Sequence, residues 1–188
     1  DSKWQKDADY VRNTTALKAF LLDGYDRFTP PPNCQVKVEA GLIQLPTIDT
    51  SQQLIEVYAW WRHYWYDTRM SWDPDEWGGV DTLTFKGQGG EIEQIWVPDT
   101  HVYETANQFN ALPEIDVAIY PSGSAWVSYP IVHTLQCRMD LTKFPFDVQT
   151  CRFTFGSWSY SGHQLDIKPR EVVPDGGDDS YLSAIETR

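Results

Sequence analysis

Cys137-Arg138-Met139-Asp140-Leu141-Thr142-Lys143-Phe144-Pro145-Phe146-Asp147-Val148-Gln149-Thr150-Cys151 is the stretch whose reading settles the fold. Two cysteines bracket it, and two phenylalanines flank a proline near its centre. A disulfide closing a loop of about 15 residues stabilises by roughly 3 kcal/mol in the chain-entropy model. Cys34 is the remaining cysteine, so at most one intrachain pair forms and one thiol is left over. An X-Pro bond takes the cis form at little cost, so Phe144-Pro145 suits a tight turn. Two phenyl rings on such a loop read either as a contact surface or as a loop tucked under its own sheets.

Working outward, the pattern has period two. Val36, Val38, Ala40 and Leu42 alternate with Gln35, Lys37, Glu39 and Gly41, which predicts a half-buried strand. Residues 52–70 form a longer candidate with aromatics on both parities, Trp60 and Tyr64 on one and Trp61 and Trp65 on the other, so both faces touch something. Shorter strands fit residues 81–85, 91–97, 114–120, 124–136 and 148–156, separated by Gly, Pro, Asn and Asp clusters. Trp72-Asp73-Pro74-Asp75 and Trp77-Gly78-Gly79 are turn chemistry.

Ahead of the strands, Ala8, Val11, Leu17, Phe20 and Leu21 recur at helical spacing. They predict one amphipathic helix over residues 7–23, ended near Gly24. Thr29-Pro30-Pro31-Pro32-Asn33 then forces extended chain. Many short strands with turn signals imply an all-β sandwich carrying one N-terminal helix. No repeat or linker interrupts residues 1–188, which read as a single domain, and no signal peptide opens it, so the segment reads as mature or excised. Val173-Pro174-Asp175-Gly176-Gly177-Asp178-Asp179-Ser180 reads as a polar loop.

Composition excludes several functions. Lys+Arg is 15 against Asp+Glu 27, a net charge of -12, and phosphate binding needs a basic face, so no nucleic-acid partner is expected. The acidity permits a cationic ligand but is equally plain solubility. No run of about 20 apolar residues offers a membrane span. His63, His101, His133 and His163 form no HExxH, and neither a GxSxG elbow nor a P-loop is present. Without a CxxC a thiolate zinc site is not expected. Asp73/Asp75 and Asp178/Asp179 read as turn formers, so the chain is expected to be no enzyme and to need no metal or cofactor. Asn13-Thr14-Thr15 is a glycosylation sequon.

The bracketed loop with Phe144-Pro145-Phe146-Asp147, followed by Phe155-Gly156-Ser157-Trp158-Ser159-Tyr160, resembles the extracellular ligand-binding domain of the Cys-loop (pentameric ligand-gated ion channel) receptors. The nicotinic and serotonin-type branch and the soluble acetylcholine-binding proteins are the most similar. Trp60-x-Arg62-x-x-Trp65-x-Asp67-x-Arg69-x-x-Trp72-x-Pro74 and Trp96-Val97-Pro98-Asp99 agree with that family in order and spacing. The resemblance runs from the helix to about residue 188.

The resemblance implies an immunoglobulin-like β-sandwich, a Cys137–Cys151 disulfide, a free Cys34, and a ring of five identical or different subunits with sites between neighbours. The principal face would offer Tyr103 and Trp158, and the complementary face Trp60, Arg62, Trp126 and Ser128. Trp65, Trp72 and Trp96 would be framework, and Arg62 is equally suited to an ion pair. Aromatic faces attract a cation through their quadrupole, at about 0.5–2 kcal/mol per contact. The implied ligand is therefore small and cationic, acetylcholine- or serotonin-like. Asp49-Thr50 and Phe144-Pro145-Phe146-Asp147 would carry the signal to a pore domain. The family pattern continues into a ligand-capping hairpin that this sequence does not reach. The location implied is extracellular, as a cell-surface ectodomain or a secreted protein. A soluble binder without a pore, and an unrelated aromatic-rich sandwich such as a carbohydrate-binding module, are the other readings.

Overall fold

The computed structural model describes residues 3–88, 91–106, 114–170 and 185–187, and the expected polar loop at 173–180 lies outside them. A helix, α1 (Lys3–Leu22), precedes β1 (Cys34–Asp49) and β2 (Leu54–Tyr66). Then follow two short 3₁₀ turns (Thr68–Met70 and Pro74–Trp77), β3 (Leu83–Lys86), β4 (Thr100–Val102), β5 (Asp116–Ile119), β6 (Ser124–Gln136), β7 (Phe153–Ser157), β8 (Leu165–Pro169) and β9 (Ile185–Thr187). One sheet has six strands in the order β3-β5-β6-β2-β1-β8, and the other has three, β4-β7-β9.

The helix begins four residues earlier than its apolar spacing predicts and ends where Gly24 takes φ +70°. Its buried stripe is narrow. Leu17 and Leu21 are in the core, whereas Val11 and Phe20 are exposed, and Phe20 meets the Trp77 ring at 5.5 Å.

Strand β2 explains why aromatics occur on both parities. Ile55, Val57, Ala59, Trp61, His63 and Trp65 are buried, and the intervening side chains face outward. Trp61 meets Phe155 of β7 at 4.5 Å, edge to face, so the odd face packs against the second sheet. β6 pairs with β2 from Leu54↔Gln136 to Tyr66↔Ser124 without a register shift. β1 starts the core with Val36, Val38 and Ala40 and shows register shifts between Leu42 and Gln44 and between Gln44 and Thr47.

Two strand expectations fail. Residues 91–97 form no strand: Ile95, Trp96 and Val97 are all buried as irregular chain, with Gln94 N donating to Lys86 O and Trp96 N to the Tyr25 hydroxyl. Residues 148–156 contribute only β7, from Phe153, and Val148 is exposed. β4, β8 and β9 were not anticipated; β8 adds parallel to β1, Cys34↔Leu165 to Val38↔Pro169.

The tryptophan-rich motif is mostly framework. Trp65 and Trp96 meet edge to face at 6.1 Å, and buried Trp72 donates its indole N–H to Val80 O at 2.7 Å. Asp67, 1% exposed, accepts both Nε and Nη2 of Arg69 at 2.8 Å and the Tyr25 hydroxyl at 2.7 Å. Its backbone N–H donates to Gly123 O, and a Cβ on Gly123 (φ +80°) would lie 2.5 Å from Asp67 O. The Cys137–Cys151 bond is formed, the Phe144–Pro145 peptide is cis, and Cys34 is a buried free thiol. Burial, reinforced by Asp67, pushes the Cys34 pKa up to about 12, so it stays an unreactive thiol.

Candidate functional site

Outward-facing residues of β2 and β6 lie opposite one another along their ladder: Trp60 beside Pro130, Arg62 beside Ser128, Tyr64 beside Trp126. Trp60, Arg62, Trp126 and Ser128 therefore share one face. Trp60 is 40% exposed, and Trp126 packs against Tyr64 with ring centroids 6.4 Å apart. Arg62 pairs with Glu39 of β1, its partner across the β1–β2 ladder. Glu39 is buried and takes a second guanidinium, Arg170 Nη1, at 2.8 Å, and Arg170 lies over the Tyr64 ring at 4.0 Å. The ion-pair alternative for Arg62 is thus the arrangement seen, and Glu39 is a member of this face that sequence reading missed.

Tyr103 and Trp158 follow directly on β4 and β7 of the other sheet. Asp99 builds this face. Its carboxylate accepts the Ser157 hydroxyl at 2.5 Å and the Ser159 N–H at 2.8 Å, pinning the turn that presents Trp158, which is 64% exposed. Tyr160 N also donates to Ser157 Oγ at 2.8 Å. The Tyr103 ring lies across Gly156, where a Cβ would come within 2.6 Å of it, and its hydroxyl donates to Ser157 O at 3.2 Å. Asp99 sits in the quoted Trp96-Val97-Pro98-Asp99 motif, so the signal was in the sequence; its role as an anchor was not. His101, also unanticipated, lies 6.2 Å from Trp158, ring centroid to ring centroid, at 25°.

Between the sheets, His63 Nε2 pairs with the Thr100 hydroxyl and its ring stacks on Tyr129 at 5.9 Å. His133 meets Trp61 at 5.5 Å. Burial pushes both histidine pKa values down to about 4, and His101 lowers His133 further. A cleft of about 430 Å³ beside Tyr25, Phe28 and Glu93 touches neither aromatic group.

The β1–β2 turn and the disulfide loop meet at their roots. Asp49 Oδ1 accepts from Ser51 N, Ser51 Oγ and Gln52 N, ordering the turn that holds Thr50. Gln53 follows at φ +59°; its carbonyl accepts Cys137 N at 2.9 Å and its side-chain oxygen accepts Met139 N. Within the disulfide loop, Gln149 bridges Asp140 and Asp147. Phe144 and Phe146, either side of Pro145, are 72% and 90% exposed. Asn13 is half-buried on α1 against Gly78, which takes φ +67°.

Comparison with known proteins gives a consistent result. The model of the neurotransmitter-gated ion-channel ligand binding domain matches residues 14–182. The human neuronal acetylcholine receptor subunit alpha-10 is 35% identical over 154 residues, covering 81% of this chain and 33% of that subunit. The human subunit beta-3 is 32% identical and the human subunit alpha-5 31% identical, each over 163 residues, 84% of this chain and 34% of the subunit. The chain spans about a third of the length of the curated relatives it matches.

Proposed function

We propose a function from one premise: the chain belongs to the family of neurotransmitter-gated ion-channel ligand-binding domains. Residues 1–188 act as one extracellular ligand-binding domain. It assembles in a ring of five and binds a small cationic ligand between neighbours, with no chemical step. The observation that carries this is the division of the aromatic groups. Trp61 points inward to Phe155, so Trp60 on the opposite parity points away from the three-stranded sheet that bears Tyr103 and Trp158. One chain offers two half-cages on opposite outer surfaces, and a second copy completes each.

Trp158 and Tyr103 form the principal half, and Trp60, with Arg62, Trp126 and Ser128 around it, the complementary half. Acetylcholine-like quaternary ammonium is the ligand class favoured, since open indole and phenol faces suit a cation that donates no hydrogen bonds. Phe144, Phe146 and Val148 leave a strongly apolar tip, which favours a receptor whose pore domain lies beneath over a soluble binder. Asp49, Thr50 and the Phe144–Asp147 segment would transmit the ligand's preference for one state, a population shift.

The test uses the complete polypeptide. Light scattering should give the mass of five chains, and calorimetry should show saturable acetylcholine binding at subunit interfaces. A mass of one chain, or no binding of any quaternary ammonium by the pentamer, overturns the reading.

A further inference from the structure

We propose that His101 is a positioning residue that sets the cation affinity of the Trp158 face: once protonated, its imidazole places a positive charge against the indole on which the ligand would rest. This rests on the ligand-binding reading above. Alternation along β4 aims the ring. Thr100 turns inward to His63, and Val102 is buried, so His101 and Tyr103 emerge together on the outer side. His101 lies opposite Gly156 in the β4–β7 ladder, two residues before Trp158. The two rings are near parallel, 6.2 Å apart at 25°. Trp158 thus has a titratable neighbour of its own chain beside a ring that is 64% exposed.

The groups facing His101 among the described residues decide when it charges. Asp99, from the approach to β4, favours the proton but is engaged by Ser157 and Ser159. His133 of β6 lies within electrostatic reach, but its own pKa near 4 leaves it neutral across the working range, so it sets no charge against His101. His63 of β2, joined through Thr100, is neutral likewise. From β7, Gly156 and Ser157 bring no charge. Burial is the largest influence and holds the His101 pKa below the ordinary histidine value. The ring is therefore neutral at pH 7.5 and gains its proton only on the acid side of the ordinary histidine range.

Linkage fixes the sign. A cation on Trp158 opposes the proton on His101, and the proton opposes the cation by the same factor. Affinity is full above the His101 pKa and falls as pH drops through it. A cation on the indole face turned away from His101 stands about 10 Å from it, and at effective dielectric values of about 25–50 two unit charges at that separation give roughly a threefold to tenfold loss.

The experiment measures carbamoylcholine affinity of the complete assembled protein from pH 8 to 5.5, with folding followed by near-ultraviolet circular dichroism. The parent should weaken about threefold to tenfold toward acid. His101→Gln should give an affinity that stays flat from pH 8 to 5.5. A parent with no acid loss, or a His101→Gln variant that loses as much as the parent, overturns the proposal while leaving the site intact. A parent that binds no carbamoylcholine at pH 8 removes the ligand-binding reading and this inference with it. A measurement needing no variant reads the same coupling: the His101 Hε1 resonance should titrate roughly 0.5–1 pH unit lower with carbamoylcholine bound. An unchanged midpoint overturns the proposal.

Discussion

The two aromatic faces are built by different means. The β2–β6 face is ladder: every residue on it is placed by strand register, and its one buried charge, Glu39, is shared by Arg62 and Arg170. The β4–β7 face is anchored turn: Trp158 sits beyond the last paired residue of β7, in a turn whose charged anchor is the Asp99 carboxylate. A ladder distributes its support over many backbone bonds, so it tolerates the loss of any one side chain. An anchored turn concentrates support, so it is exact where the anchor is present and lost with it.

The largest expected effect removes the footing common to both faces. His63 and His133 are neutral in the fold with pKa values of about 4, against about 6.5 unfolded. The unfolded chain binds more protons below pH 6.5, so stability is full above pH 6.5, is lost as pH falls from 6.5 to 4, by about 3 kcal/mol for each histidine at pH 4, and levels off below it. Denaturant titrations at pH 7.5 and 4.5 should show it; equal midpoints would mean that the sheet junction does not depend on neutral imidazole. Next comes the anchor. Asp99→Ala should cost about 2–3 kcal/mol and lower quaternary ammonium affinity, because two hydrogen bonds to a carboxylate are lost together. An Asp99→Ala protein with parental affinity would show that the turn holds itself.

Trp158→Leu should weaken carbamoylcholine by about 1–2 kcal/mol, or roughly 5–30-fold, with stability nearly unchanged at so exposed a position. Trp158→Phe should lose less. The smallest effect belongs to the ladder. Arg62→Gln gives up a partly exposed ion pair worth about 0–1 kcal/mol, Glu39 keeps Arg170, and affinity should move less than about threefold. A loss at Arg62 larger than at Trp158 would reverse the comparison and make the complementary face dominant.

Ladder and turn also differ in how legible they are. Period two separates the buried odd residues of β2 from its outward even ones, so the Trp60 face follows from spacing once the strand is recognised. Ile95-Trp96-Val97 reads as strand by the same rule yet is buried irregular chain, because a short apolar run has no phase that distinguishes the two. β4, at three residues, is too short to carry a pattern. Glu39 falls on the polar parity and reads as solvated; only the fold brings Arg170 over it. The contact of His101 with Trp158 joins residues remote in sequence, and nothing local announces it.

Gln53 has a consequence of a mechanical kind. By holding Cys137 N with its carbonyl and Met139 N with its side chain, it fastens the β1–β2 turn to the root of the disulfide loop. Two tips that could hinge separately are thereby reduced towards a single degree of freedom. Moving either root against the other strains the same two bonds, much as two levers strain one bolt. Whatever body rests against that end of the molecule meets two tips that share one root.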